Sequence, residues 1–126
     1  MPSVIIEVRK AYTREQESAI IDAVHAALIE GFAIPRTDRN LRLVVHEPHR
    51  FVAPPDKTKP EAFTLVTIEA FAGRSLDAKR TLYRAIVTNL EPFGIPRDHV
   101  MIALPEVHVG GGLAATDVDL GFKVDV

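Results

Sequence analysis

The sequence predicts an α+β fold: a β-α-β plan used twice, giving a four-stranded mixed sheet with two helices on one face and a C-terminal strand or arm. Three observations predict it. Short β-branched runs alternate with two segments of helical periodicity. The heptapeptide "EGFAIPR" at 30–36 returns as "EPFGIPR" at 91–97, identical at five of seven positions and 61 residues on. The last residues alternate apolar and polar, as an edge strand would. The plan fits a single domain over 1–126, with repeat halves at about 2–48 and 62–107 and a C-terminal arm at 108–126.

Each element has a local reason. SVIIEV at 3–8 is a β-branched strand. Thr13 opens a helix, and Thr13 with Gln16 fits a capping box. Ile20, Val24 and Leu28, with Ile21 alongside, form its apolar face, and Gly31 and Pro35 end it. LRLVVH at 41–46 is a second strand. The stretch 49–62, with Pro54, Pro55 and Pro60, has no periodicity and reads as a long connection. FTLVTIEA at 63–70 is the third strand; the 61-residue offset lays Ser3–Val8 onto Thr64–Glu69. Ser75 caps a second helix carrying Leu82, Ile86 and Leu90, with Tyr83 and Val87 beside them, and Gly94 and Pro96 end it. VMIAL at 100–104 is the fourth strand, and Glu106, which ends it, reads either as a carboxylate for a water or substrate or, more plainly, as a surface charge. Gly110–Gly112 reads as a hinge, since no Lys-Ser/Thr follows to make a phosphate loop. Val118, Leu120, Phe122, Val124 and Val126 then alternate with polar or small residues.

Right-handed crossovers make the first two strands parallel and the last two parallel, with both helices on one face. The other face also reads as largely apolar, from Ile5, Val44, Met101 and Ala103. Two helices cannot cover both faces, so the sequence predicts an oligomer, with the terminal arm reaching across.

Composition bounds the function. Apolar residues are 47% and charged residues 25% of the 126, and net charge is −2, which supports neither nucleic-acid nor anionic-membrane binding. Without cysteine there is no disulfide, zinc-thiolate site or cysteine nucleophile. No signal-peptide pattern and no membrane-length apolar run is present, so a soluble cytoplasmic protein is the expectation. "HEPH" at 46–49 is not a zincin motif, because its histidines are three apart and Pro48 forbids the helix; no metal or cofactor is expected.

One edge of the sheet collects chemistry. Strands joined by a parallel crossover start on the same edge, so Pro2 and Asp38 should lie near each other. If the third strand pairs antiparallel with the first, it leaves at that edge too, and Arg74 follows it. With Met1 removed, the Pro2 nitrogen is a secondary amine, and an α-amine titrates near ~7.7–8.0, suited to acid–base work. Apolar burial would lower that value and a nearby carboxylate raise it. Arg74 offers a two-pronged grip on a substrate carboxylate. Each residue also has a plainer reading: Pro2 as a strand start, Asp38 as a turn residue, Arg74 as a solvated charge and His46 as a satisfied strand histidine.

The Met-Pro start, the duplicated β-α-β plan and the segment "IPRTDR" resemble the tautomerase superfamily, and within it the chain is most similar to the malonate semialdehyde decarboxylase group. The resemblance covers nearly the whole length. It implies a homotrimer, a small oxo-acid substrate and catalysis by an N-terminal proline, matching Pro2. The aspartate that tunes the proline sits in "P-x-x-D-R", matching Asp38, and a substrate-binding arginine in "R-S-x-x-x-K", matching Arg74. A strand histidine matches His46. Two departures stand out: a second arginine two residues before the first is Ala72 here, and the aromatic wall of the tail is reduced to Phe122. The resemblance therefore implies keto–enol tautomerisation of small 2-oxo acids such as phenylpyruvate, with decarboxylase or hydratase activity through a cationic Pro2 as the alternative. The strand order also fits ferredoxin-like and dimeric α+β barrel proteins that only bind ligands.

Overall fold

The computed structural model describes residues 2–9 and 11–108. Met1, Phe122 and the arm and hinge expected beyond His108 lie outside the described residues. The elements are β1 (Ser3–Arg9), α1 (Arg14–Phe32), β2 (Leu41–His46), β3 (Thr64–Phe71), α2 (Leu76–Leu90), β4 (Val100–Ala103) and β5 (Glu106–Val107). The sheet runs in the order β2-β1-β3-β4. β1 is parallel to β2, β3 is parallel to β4, and β1 and β3 meet antiparallel at the centre. This is the α+β architecture expected from the sequence.

The caps form as the sequence predicts. Thr13 Oγ1 accepts the Gln16 N–H at 3.2 Å, and Gln16 Oε1 accepts the Thr13 N–H at 2.9 Å. Ser75 Oγ accepts the Ala78 N–H at 3.1 Å. The end of α1 differs from expectation. Gly31 stays inside the helix, and the left-handed stop is Ala33, with φ 54°. Gly31 is there for space: a Cβ on it would lie 2.7 Å from the Leu82 Cα, so α1 and α2 meet backbone to backbone.

The two β-α-β units align at two offsets. Thr13 and Ser75, Ile20 and Leu82, Val24 and Ile86, and Leu28 and Leu90 are each 62 residues apart. From the left-handed stops onward, Ala33 and Gly94, Ile34 and Ile95, the spacing is 61. One residue drops out where α2 tightens into the 3-10 turn Glu91–Phe93, which needs three residues per turn instead of 3.6. Laying Ser3 onto Thr64 would put opposite faces of the strands together. The buried faces, Val4, Ile6 and Val8 in β1 and Val66, Ile68 and Ala70 in β3, correspond at 62.

β5 is a further difference. The pairings Thr67 with Ala103 and Ala70 with Glu106 share one register, so β5 continues β4 alongside β3. Pro105 has no N–H to give the ladder and divides the strand in two. Glu106 thus sits within the sheet, in β5.

The core lies between the helices and one sheet face. Ile20, Val24 and Leu28 of α1 and Leu82, Ile86 and Leu90 of α2 pack on the buried residues of β1 and β3. Each such side chain contributes about 1.5–3 kcal/mol of transfer free energy. The open face is more mixed than expected. Its register brings Ile5, Val44, Leu65 and Met101 together with Glu7, Arg42 and Thr67. Val44 and Met101 are exposed there.

Candidate active site

Chain direction gathers one set of segments at a single edge of the sheet. β1 starts there after Pro2, α1 ends there at Phe32, and the turn before β2 lies there. β3 leaves the sheet there, and α2 begins there after Ser75. The Val4 N–H donates to the Asn40 carbonyl at 3.0 Å, tying the start of β1 to the turn. Pro2 is buried. The β1–β3 register pairs Ser3 with Glu69, so the next position sets Pro2 against Ala70. Glu106 pairs with Ala70 from the other side. Two strand spacings put the Pro2 and Glu106 backbones about 10 Å apart.

Arg74 lies half-buried at this edge. Its guanidinium carbon sits 4.2 Å from the centroid of the Phe32 ring, a cation–π contact. Its Nη1 donates to the Phe71 carbonyl at 3.4 Å. Burial lowers its pKa, and the carboxylates of Asp38 and Glu106 act against that lowering. Those two carboxylates are therefore near enough to act on the guanidinium, which stays a cation at neutral pH. Glu106 also accepts from Lys79 Nζ at 2.6 Å, in a pair with both side chains largely covered. Two cations, two carboxylates, an aromatic ring and a buried proline thus share one edge. Such a set can hold a carboxylate and present a base or acid beside it.

The turn carrying Asp38 is bound to α1. The Asp38 N–H donates to the Pro35 carbonyl at 3.0 Å. His25, 4% exposed, places Nε2 at 2.9 Å from the Asp38 carbonyl oxygen. Arg39 Nη1 lies 3.0 Å from His25 Nδ1, and Arg39 Nη2 donates to Asp22 at 2.9 Å.

Of the residues singled out in the sequence, the fold brings Pro2, Asp38 and Arg74 to one edge. It does not bring His46 to them within the chain. His46 pairs with Arg9 at the far end of β1, about 20 Å from Pro2 by strand rise. There its Nε2 meets Glu7 Oε1 at 3.0 Å, and its ring lies 5.0 Å from that of Phe51. Ala72 donates its N–H to the Val107 carbonyl at 2.8 Å, joining the site loop to β5. Sequence reasoning missed Phe32, Lys79 and His25 as neighbours of the site. Phe32 carried a signal, being conserved between the repeats as Phe93; Lys79 stands in the "R-S-x-x-x-K" segment; His25 carried none. Among the described residues, no group of three or more His, Cys, Asp or Glu is placed to hold a metal ion, and no helix is long and apolar enough to cross a membrane.

Residues 38–110 match a protein family described as "Tautomerase enzyme". Among solved structures, the fold is similar to malonate semialdehyde decarboxylase inhibited by 3-bromopropiolate. The identity is 30% and the TM-score 0.79, over 91% of this chain and 92% of that one. It is also similar to wild-type, mutant and inactivated malonate semialdehyde decarboxylase, at 25% identity and TM-score 0.77, over 90% of each chain. A fused 4-OT asymmetric trimer shares the fold at 16% identity and TM-score 0.72, over 91% of this chain and 97% of that one. No curated protein matches the sequence significantly.

Proposed function

Because the chain belongs to the tautomerase superfamily and is most like its malonate semialdehyde decarboxylase group, we propose that it is a proline-dependent enzyme acting on small 2-oxo acids such as phenylpyruvate. Once Met1 is removed, the Pro2 amine takes a proton from the carbon next to the carbonyl and returns it to oxygen, interconverting keto and enol forms. Arg74 holds the substrate carboxylate, with Phe32 shielding its guanidinium from water. Asp38 sets the protonation state of Pro2. The observation that carries this reading is the convergence of Pro2, Asp38 and Arg74 on one sheet edge. A homotrimer would cover Val44 and Met101 on the open face; the fused 4-OT structure of the same fold is an asymmetric trimer. His46 and Phe122 are kept as substrate contacts only in such an assembly.

The test is enolisation of arylpyruvates by wild type and Pro2→Ala, after the intact mass has shown Met1 to be absent. A loss of about 10²–10⁴-fold is expected, the range of a positioned acid–base group. Undiminished turnover by a folded Pro2→Ala variant sinks the assignment.

A second reading has its own support: both decarboxylase structures are 25% or more identical over nine-tenths of the chain. In it, a cationic Pro2 acts as the acid in decarboxylation or hydration of a 3-oxo acid. A Pro2 amine still protonated at pH 7 by NMR favours it; a neutral amine favours tautomerisation.

A further inference from the structure

We propose that His25 is a positioning residue for this site, holding the Asp38 turn through a relay that runs from Asp22 through Arg39 to the Asp38 backbone. The proposal rests on the reading of Asp38 as the partner of Pro2. His25 lies outside the matched family region, which begins at residue 38.

The relay has one self-consistent hydrogen pattern. Arginine only donates, so Arg39 Nη1 makes His25 Nδ1 the acceptor at 3.0 Å. The ring hydrogen then sits on Nε2 and donates to the Asp38 carbonyl at 2.9 Å. A second ring proton would set Nδ1–H against an Arg39 N–H, so the relay needs the neutral ring. Asp22 anchors the other end by accepting from Arg39 Nη2 at 2.9 Å. Asp22 and His25 stand three residues apart on α1, and so share a face of a 19-residue helix capped at both ends.

A buried polar ring needs partners, but these partners have a particular location. His25 grips the main chain of the residue whose carboxylate acts electrostatically on Arg74. Arg39, the adjacent residue, closes the grip from the surface. Within the turn, the Asp38 N–H bonds the Pro35 carbonyl and the Arg39 N–H bonds the Thr37 carbonyl, and the Asn40 carbonyl ties the turn to β1. The relay fixes the main chain from which the Asp38 carboxylate springs, and misplacement by 1 Å at a reacting centre can cost about 100-fold. Other charged groups at this edge include Arg36 of the turn, Glu69 of β3 opposite Ser3, Arg74 from the β3–α2 connection, Lys79 from α2 and Glu106 from β5.

The experiment follows the Pro2 amine by NMR in protein labelled with ¹⁵N-proline, together with pH profiles of kcat/KM. Asp38→Asn sets the reference, because loss of its charge moves the Pro2 titration downward. His25→Leu is expected to move it in the same direction and to lower kcat/KM about 10- to 100-fold. His25→Gln, which keeps an N–H for the Asp38 carbonyl, is expected to restore most of both. Arg39→Met leaves the ring in place and removes its anchor, so it reports even if His25→Leu does not fold, with a smaller shift of the same sign. A moved titration in Asp38→Asn, with unmoved titrations in Arg39→Met and in folded His25→Leu, overturns the role of His25 alone. An unmoved titration in Asp38→Asn overturns the reading of Asp38 and the relay with it.

Discussion

The two β-α-β units put corresponding positions at opposite edges of the sheet. Pro2 corresponds to Thr64 and Tyr12 to Arg74, each 62 residues apart, and Asp38 corresponds to His99 at the later offset of 61. One edge therefore holds Pro2, Asp38 and Arg74, and the other holds Thr64, His99 and Tyr12. The backbone plan is shared; the side chains are not. At the second edge Thr64 is fully buried, and its hydroxyl donates to the Ala62 carbonyl at 3.0 Å. His99 is 1% exposed, accepts the Lys59 N–H through Nε2 at 3.0 Å and meets Asp98 through Nδ1 at 2.7 Å. The connection between β2 and β3 folds over this edge, and each buried polar group there has a bond that keeps it still. The first edge instead gathers two carboxylates near a partly desolvated guanidinium. One scaffold thus carries a closed end that secures a loop and a charged end suited to chemistry.

The largest effects should be shared by both units. Leu28→Ala and Leu90→Ala remove equivalent, fully packed side chains, and each is expected to cost about 2–5 kcal/mol in urea denaturation. A near-zero cost at either position would break the equivalence of the units. Catalysis should separate the edges. Arg74→Ala is expected to lower kcat/KM for 2-oxo acids by about 10- to 100-fold, the worth of charge-assisted hydrogen bonds. Tyr12→Phe, the corresponding change at the other edge, should leave kcat/KM within about twofold. Equal losses would mean that the closed edge also serves the reaction.

Smaller effects come from the left-handed stops. Ala33, at φ 54°, bears a steric cost that Gly94, at φ 76°, avoids. Ala33→Gly should raise stability by up to about 1 kcal/mol and Gly94→Ala should lower it by about the same. Opposite signs in thermal melts would sharpen the correspondence, and like signs would break it. The smallest effects lie at the extremes of pH. Burial first, and Glu61 second, hold the Tyr12 phenol above its ordinary 10.0. Its contribution is whole below that pH and is lost as pH rises through the folded-state value, so Tyr12→Phe should flatten the alkaline fall in stability. A hydrogen bond from His99 holds the Asp98 carboxyl below its ordinary 3.8. That contribution is present above 3.8 and fades on acidification, and Asp98→Asn should remove the part of the acid transition it causes.

Much of this was legible in the chain. Capping residues, helical periodicity and the right-handed crossover are local or general rules, and they led to both helices, the main strands and the edge where Pro2, Asp38 and Arg74 gather. The same crossover logic sends His46 to the opposite edge, since it ends the strand that Asp38 precedes. The rest depends on contacts between distant residues. Gly31 reads as a helix stop unless Leu82 is known to touch it. The shift from 62 to 61 is invisible in the repeated heptapeptide, which aligns at 61 along its whole length. β5 needs its pairing with β3 to be seen at all. The grip of His25 on Asp38 spans 13 residues and leaves no periodic trace.

The crossing at Gly31 has a consequence for the spacing of the side chains at the charged edge. Phe32, the next residue, is the ring beneath Arg74, while Leu82 lies on the helix that carries Lys79. One methyl at residue 31 would have to wedge these helices apart, carrying the ring and the ammonium in opposite directions. The gap between ring and ammonium is gauged by a missing carbon where the two helices cross.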